Sequence, residues 1–344
     1  MQYKGSFGFF DAAQINTYPL AQRTNKVKIT DLVTVDKVAD INIDLPNQTC
    51  DDIETIARAI VFSKRKGFPV IVFTGAHLIK NGMGPLLVDL INKGLITLLA
   101  GNGATAIHDF ELAQIGQTSE NVPNALSKGH FGMAYEFAYI NYALSLGNEM
   151  NLGYGESLGK MICDSDFRNQ ALCRYSKKSN QIKFQNPQVS FIAACHRNKV
   201  PLTIHVGIGT DVIDQHESFD GQAKGGCSGR DFLIYTDQVT KLTKGGVVLN
   251  IGSAVTGPEV LLKAVSMSSN AGFVPADFIA ADFDLRPHEP QQMVNESAPC
   301  YYFRDQKSVV TRIPQSFNNS KGYYIQGNQK QTFPLLYKKI VEKL

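Results

Sequence analysis

Short, unbroken apolar runs that each stop at a glycine set the rhythm of this chain. Val70, Ile71, Val72 and Phe73 break at Thr74, Gly75 and Ala76, and Ile96 to Ala100 break at Gly101, Asn102 and Gly103. PLTIHVGIG, VVLNIG and DFIAADFD repeat the theme later. Runs of four to eight apolar residues bounded by turn residues read as buried strands. Between them the spacing turns helical. Over 51–66, Ile53, Ile56, Ala57 and Ile60 share one face, Asp51 and Asp52 sit in the first turn and KRKG closes the end, all of which favour a helix. Further helices are predicted near 85–92, over 131–146, 188–197 and 231–242, after Pro258 and Glu259, and from about 333 to the end. VVTRI and GYYIQG read as edge strands. Strand, helix, strand in alternation demands crossovers and hence parallel pairing. The expected fold class is therefore α/β, a Rossmann-like, doubly wound and mostly parallel sheet. One domain over 1–344 is expected, with a polar, proline-punctuated accessory segment near 286–331.

In such a sheet the glycine breaks fall at the carboxyl ends of strands, where ligands bind. Three loops become candidates for holding a nucleotide: Thr74, Gly75, Ala76 and His77; Ala100, Gly101 and Asn102; and Gly252, Ser253 and Ala254. Glycine lets a backbone approach a pyrophosphate, and the following helix offers unpaired amides. None of the three matches the dinucleotide fingerprint or a P-loop, and each serves equally as a plain turn. Just beyond the second loop stand His108, Asp109 and Glu111. An imidazole among carboxylates moves protons near neutral pH, and carboxylates hold cationic amines. The same residues also suit a helix N-terminus, whose dipole favours acids. His130, His205, Asp211, Asp282 and Asp284 are secondary candidates, with a core role open for His205 and a capping role for His130. No His and carboxylate pair beyond His108 and Glu111 has ligand-like spacing, so no metal site is expected.

Composition narrows the classes. The 344 residues are 43% hydrophobic, enough for a large core, and carry 34 basic and 31 acidic side chains, formally +3, with no dense basic block. That argues against a nucleic-acid partner. No apolar run is long enough to span a membrane and the start lacks the order of a signal peptide, so the expected address is cytoplasmic. The six cysteines are scattered and read as free thiols; Cys227, in KGGCSGRD, has the one setting where a thiolate could be activated.

These residues carry a resemblance. TGAHLIKNGMGPLLVDLINKGLITLLAGNGATAIHD, GGVVLNIGSA and GYYIQGNQKQTFPLL resemble, in order, segments of the deoxyhypusine synthases. Locally, LLAGNGATAIHDFELAQIGQT followed by KGHFGMAYEFAYINYALSLG is similar to the NAD-binding domain of ornithine cyclodeaminases first described as lysine-ketoglutarate reductase/saccharopine dehydrogenase-like. The resemblance implies NAD lying across the loops at Gly75, Gly101 and Gly252. It implies a small cationic amine as substrate, no membrane partner and a homo-oligomer, a tetramer. It further implies transferase or lyase chemistry by transient oxidation of a C–N bond in a polyamine or basic amino acid, with Asp109 and Glu111 holding the amine and His108 moving the proton. The pattern also departs from the synthases. The chain has no tryptophan, so their Trp-Gly-Lys motif is absent, and Leu249 and Asn250 stand where they carry paired histidines. A true synthase would need Lys307, Lys321 or Lys330 as a displaced lysine. An inactive nucleotide-binding or scaffold protein of the same fold is the alternative from another class.

Overall fold

The computed structural model describes residues 3–176 and 182–344. In chain order the regular elements are β1 (Asn25–Lys28), α1 (Asn47–Lys66), β2 (Val70–Thr74), α2 (Ala76–Lys80), α3 (Gly84–Asn92), β3 (Leu98–Asn102), α4 (Gly103–Ile115), β4 (Gln117–Glu120), α5 (Val122–Leu126), α6 (Ala138–Glu149), α7 (Tyr154–Cys163) and α8 (Ser165–Tyr175). There follow α9 (Phe191–Asn198), β5 (Leu202–His205), α10 (Gly221–Val239), β6 (Gly246–Ile251), α11 (Thr256–Asn270) and β7 (Phe278–Asp284). A π-helix (Asp305–Arg312) runs into α12 (Ile313–Gln315), and β8 (Lys321–Gln326) and α13 (Gln329–Val341) complete the chain.

Six strands form one parallel sheet in the order β5-β3-β2-β6-β7-β8. Numbered within the sheet, that order is 3-2-1-4-5-6, the arrangement of dinucleotide-binding α/β folds, with its switch point between β2 and β6. Strands β2, β3, β5 and β6 are buried on both faces, whereas the edge strand β8 is partly exposed. Val70 and Val72 pack with side chains of α1, α3 and α13, whereas Ile71 and Phe73 pack with those of α10 and α11. Continuous apolar runs follow from that double burial, since neither face tolerates alternation with polar residues. The fold is thus a Rossmann-like, doubly wound α/β sheet. A second, two-stranded antiparallel ladder joins β1 to β4, pairing Asn25 with Glu120 and Val27 with Thr118. It lies across the far end of α4 from the loop at Gly101.

Several boundaries differ from the sequence expectation for identifiable reasons. Residues 131–134 form a turn and a bridge to Tyr18, Tyr135–Phe137 is a 3-10 turn, and the α-helix begins at Ala138. The predicted helix over 231–242 starts at Gly221, where the Asp220 carboxylate accepts from the amides of Gln222 and Ala223. One of its glycines is used for close packing: a Cβ on Gly226 would lie 2.5 Å from Asn148 Oδ1. Tertiary contact therefore overrides poor helix propensity. Cys227 is consequently a fully buried helical residue whose thiol donates to Leu144 O, and burial pushes its pKa up; the activated-thiolate reading is overturned. VVTRI alternates like a strand yet lies in the π-helix and α12, and the carbonyl of Val310 sits where a Cβ on Gly322 of β8 would be.

Candidate functional site

The three glycine loops do converge, because β3, β2 and β6 are neighbours. Thr74, Gly75, Ala76 and His77 leave β2, Ala100, Gly101 and Asn102 end β3, and Gly252, Ser253 and Ala254 follow β6. At the switch point two of them touch. The Gly75 amide donates to Ile251 O at 2.9 Å, and a Cβ on Gly75 would lie 2.2 Å from Gly252 O. Any other residue at 75 would force the loops apart. A ligand must therefore rest on top of this contact rather than between the loops. Asn102 and Ser253 also have local work. Asn102 Oδ1 caps α4 by accepting from Thr105 N at 2.9 Å, and Ser253 Oγ accepts from Gly257 N at 3.0 Å. Ala254 and His77 are exposed on the rim.

Along α4, a cavity of about 280 Å³ is lined by Arg23, Lys80, His108, Glu111, Ser119, Glu120, Phe137 and Asp211, among others, and by none of the residues of the three glycine loops. His108 and Glu111 are three residues apart on α4 and so share its face. His108 Nδ1 lies 2.7 Å from Thr118 Oγ1, and the Thr118 hydroxyl donates to Glu111 Oε2. Arg23 Nη2 lies 2.7 Å from Glu111 Oε1, a charge contact without aligned hydrogen-bond geometry. Burial raises the pKa of Glu111, but His108, the Arg23 charge and Thr118 together outweigh it and hold the carboxyl below its usual range. Glu120 accepts from Tyr18 Oη at 3.0 Å and from Gly132 N at 3.1 Å. Asp211 comes from the loop after β5. It sits against the first turn of α4, 2.1 Å from where a Cβ on Gly103 would be, and is held by the buried Lys224 at 2.8 Å. Lys224 also donates to Asp214 and to Gly207 O.

Asp109 is a correction. One residue on from His108, it is turned about a quarter of the way round the helix and points at α9 instead of the cavity. It accepts from Ser190 Oγ at 2.5 Å, Phe191 N at 2.9 Å and Ile192 N at 3.2 Å, capping that helix. Burial raises its pKa to about 7 against the pull of those bonds. It has no access to an amine in the cavity. His205 lies inside a cage of Phe73, Phe232 and Tyr235, where burial lowers its pKa to about 3; it is a core histidine. His130 is exposed and outside the cavity. Lys307 Nζ is pinned 3.4 Å over the Tyr301 ring, and Lys321 and Lys330 are exposed elsewhere, so none of the three borders the cavity. The residues that sequence reasoning missed are Arg23, Thr118 and Glu120. They lie in the N-terminal segment and on a four-residue polar strand, where no periodicity or motif marks them.

The β6–β8 side of the edge holds a second charged cluster. Asn250 Nδ2 donates to Asp282 Oδ1 at 2.6 Å and to Ser253 O at 2.8 Å, while Arg286 pairs with Asp284 at 2.7 Å and also with Asp305. Asp282 Oδ2, Asp305 Oδ1 and Asn250 Oδ1 are buried without hydrogen-bond partners among the described residues. Burial, with the Asp305 charge adding to it, drives the Asp282 pKa well up. An open groove of about 400 Å³ lies between the end of β5, α10 and α11, bordered by His205, Ile208, Gly225, Gly229, Thr256 and Glu259. No group of three or more His, Cys, Asp or Glu among the described residues is arranged to hold a metal, and no helix there is long and apolar enough to cross a membrane.

No protein-family model matches the sequence, and neither does any curated protein. Among solved structures, the chain is similar to AgrE in its ternary complex with ornithine and NAD+, at 15% identity over 89% of this chain and 34% of that one, with a TM-score of 0.49. It therefore spans about a third of AgrE. It is likewise similar to a putative LOR/SDH protein of Methanococcus maripaludis S2, at 15% identity over 88% of this chain and 72% of that one, TM-score 0.49. A putative deoxyhypusine synthase of Entamoeba histolytica aligns at 9% identity over 90% and 97% of the respective chains, TM-score 0.42.

Proposed function

We propose that this protein is an NAD-dependent enzyme that transiently oxidises the carbon–nitrogen bond of a small cationic amine, a polyamine or a basic amino acid. The observation that carries the reading is the His108, Thr118 and Glu111 network bordering a cavity along α4, the helix that follows β3 in a 3-2-1-4-5-6 sheet. In sheets of this order ligands bind at the carboxyl ends of the strands, and α4 begins at that end of β3. The residues fit such a cofactor. The cavity of about 280 Å³ is too small for a whole dinucleotide, but the loop over 206–212 contributes to both this cavity and the open groove beyond it. Thr74–His77, Ala100–Asn102 and Gly252–Ala254 would hold NAD, above the closed Gly75 and Gly252 contact.

NAD, when bound, supplies a hydride acceptor. Everything else falls to the chain. An ammonium has no lone pair to expel hydride, so its proton must leave first; His108 accepts it. Glu120 and Asp211 line the cavity with carboxylates that hold the cationic amine, and Arg23 keeps Glu111 charged without exposing it. The amine-holding role assigned from sequence to Asp109 passes to Glu120 and Asp211. A homotetramer belongs to the same reading through the family resemblance.

The test is ligand-induced thermal stabilisation by NAD, followed by nicotinamide absorbance on adding a panel of polyamines and basic amino acids. Stabilisation by NAD and an absorbance change with one amine class are expected, and His108→Gln should cut turnover by about 10²-fold or more while still binding NAD. A protein that NAD does not stabilise would falsify the reading. NAD binding with no absorbance change for any amine would convert it to the scaffold alternative.

A further inference from the structure

We propose that Thr118 is a positioning residue that keeps the proton of neutral His108 on Nδ1 and so makes Nε2 the basic nitrogen of the cavity. The inference rests on the reading of His108 as the base, and goes beyond it by assigning the atom and the residue that selects it.

The argument is a count of protons. A threonine hydroxyl has one hydrogen to donate and lone pairs to accept with, whereas an ionised carboxylate only accepts. Glu111 is buried, at 2% exposure, with the Arg23 guanidinium 2.7 Å from it, so it is held as a carboxylate. The single Thr118 hydrogen therefore goes to Glu111 Oε2. His108 Nδ1, 2.7 Å from the same oxygen, has only a lone pair to meet and must bring the hydrogen itself. Thr118 is fully buried, so no water competes for either bond. A neutral imidazole carries one N–H, and which nitrogen holds it is set by the partner of the other. With Nδ1 protonated, Nε2 across the ring keeps its lone pair, and His108 is among the residues that line the cavity.

Two features fix Thr118 in place. It is locked in the β1–β4 ladder opposite Val27. The next residue, Ser119, adopts φ +71° while bordering the same cavity, a backbone state that non-glycine residues avoid and that collects at ligand sites. The proton balance of the step is simple. The substrate N–H bond breaks, an Nε2–H bond forms, and the positive charge moves to an imidazolium whose Nδ1–H still points through Thr118 to Glu111, 3.7 Å from the ring nitrogen. Thr118 neither gains nor loses a proton.

The experiment is a long-range proton–nitrogen correlation spectrum of the full-length protein labelled at histidine, at about pH 8 so that a free imidazole is neutral, with His108 assigned by the signal that His108→Gln removes. The wild type should show a protonated Nδ1 and a bare Nε2. Thr118→Val should move His108 toward the Nε2–H form, and Thr118→Ser should retain the wild-type pattern. In turnover, Thr118→Val should lower kcat by about 10-fold or more with KM changed by less than about 3-fold, and Thr118→Ser should restore it. A bare Nδ1 in the wild type, or an unchanged tautomer in Thr118→Val, overturns the inference. The wild-type and serine spectra decide the matter even if the valine variant does not fold. Failure of NAD to bind, with His108 in the stated tautomer, defeats the functional reading and leaves this one standing.

Discussion

Two arginine and carboxylate clusters flank the carboxyl edge of the sheet, and the ratio of charges separates them. Beside α4, Arg23 meets Glu111, and the partners around Glu111 are sufficient to hold its carboxyl low and charged although it is buried. Beyond β6, Arg286 faces Asp282, Asp284 and Asp305, and it is shared between the last two. Asp282 is left with burial and like charge, which favour its protonated form. The first cluster stores a charge next to a cavity; the second stores a proton on a buried aspartate. Burial is common to both, so it is the local supply of positive charge and hydrogen bonds that decides which form a buried carboxyl takes.

The largest expected effect comes from unbalancing the first cluster. Arg23→Met leaves Glu111 buried without its cation and should cost about 3–5 kcal/mol in a urea titration. The double variant Arg23→Met with Glu111→Gln should recover most of that, because the unpaired charge is gone; no recovery would mean that Arg23 acts by packing alone.

The two clusters should also respond to pH with opposite signs. A carboxyl whose native pKa is lowered contributes stability above its unfolded pKa, about 4.3 for glutamate, and loses it as pH falls through the native value. Glu111 belongs to this kind. A carboxyl whose native pKa is raised contributes fully below about 3.9, the unfolded value for aspartate, and loses it as pH rises. Asp282 belongs to that kind. Asp282→Asn keeps an oxygen for the Asn250 amide and removes the ionisation, so it should stabilise the protein by on the order of 2 kcal/mol at neutral pH and by almost nothing at pH about 4. Stability curves of wild type and variant that run parallel from acid to neutral pH would show that Asp282 is ionised after all.

The smallest effect is expected from the clasp itself. Arg286 joins Asp284 to Asp305 and stacks on Phe303 at 4.3 Å, tying together both ends of the segment over 286–304. Lysine cannot reproduce a planar fork that bonds and stacks at once, so Arg286→Lys should cost about 1 kcal/mol and speed proteolytic cutting within 286–304. Unchanged cutting would place the stability of that segment elsewhere, in the small packed group of Met293, Ala298 and Cys300.

How much of this was legible beforehand depends on the range of the interaction. The strands were visible because burial on both faces writes an unbroken apolar run, and the shared face of His108 and Glu111 follows from a spacing of three. Asp109 was not legible: its partners, Ser190, Phe191 and Ile192, lie some eighty residues on. Arg23 and Thr118 were hidden for a related reason, since β1 and β4 are short polar segments far apart in the chain and carry no pattern of their own. The start of α10 was misplaced because its glycines signal a turn, and only the packing of Gly226 on Asn148 of α6 shows otherwise.

By itself, then, the order of residues determined where strands and helices form and that three glycine loops end apolar strands, because local periodicity and backbone freedom act over a few residues. Only the tertiary structure decided that those loops meet, that Asp109 caps a helix, and which buried carboxyls keep a charge and which a proton. Desolvation and hydrogen bonding are properties of the atoms that surround a group in space, and here those atoms come from distant parts of the chain.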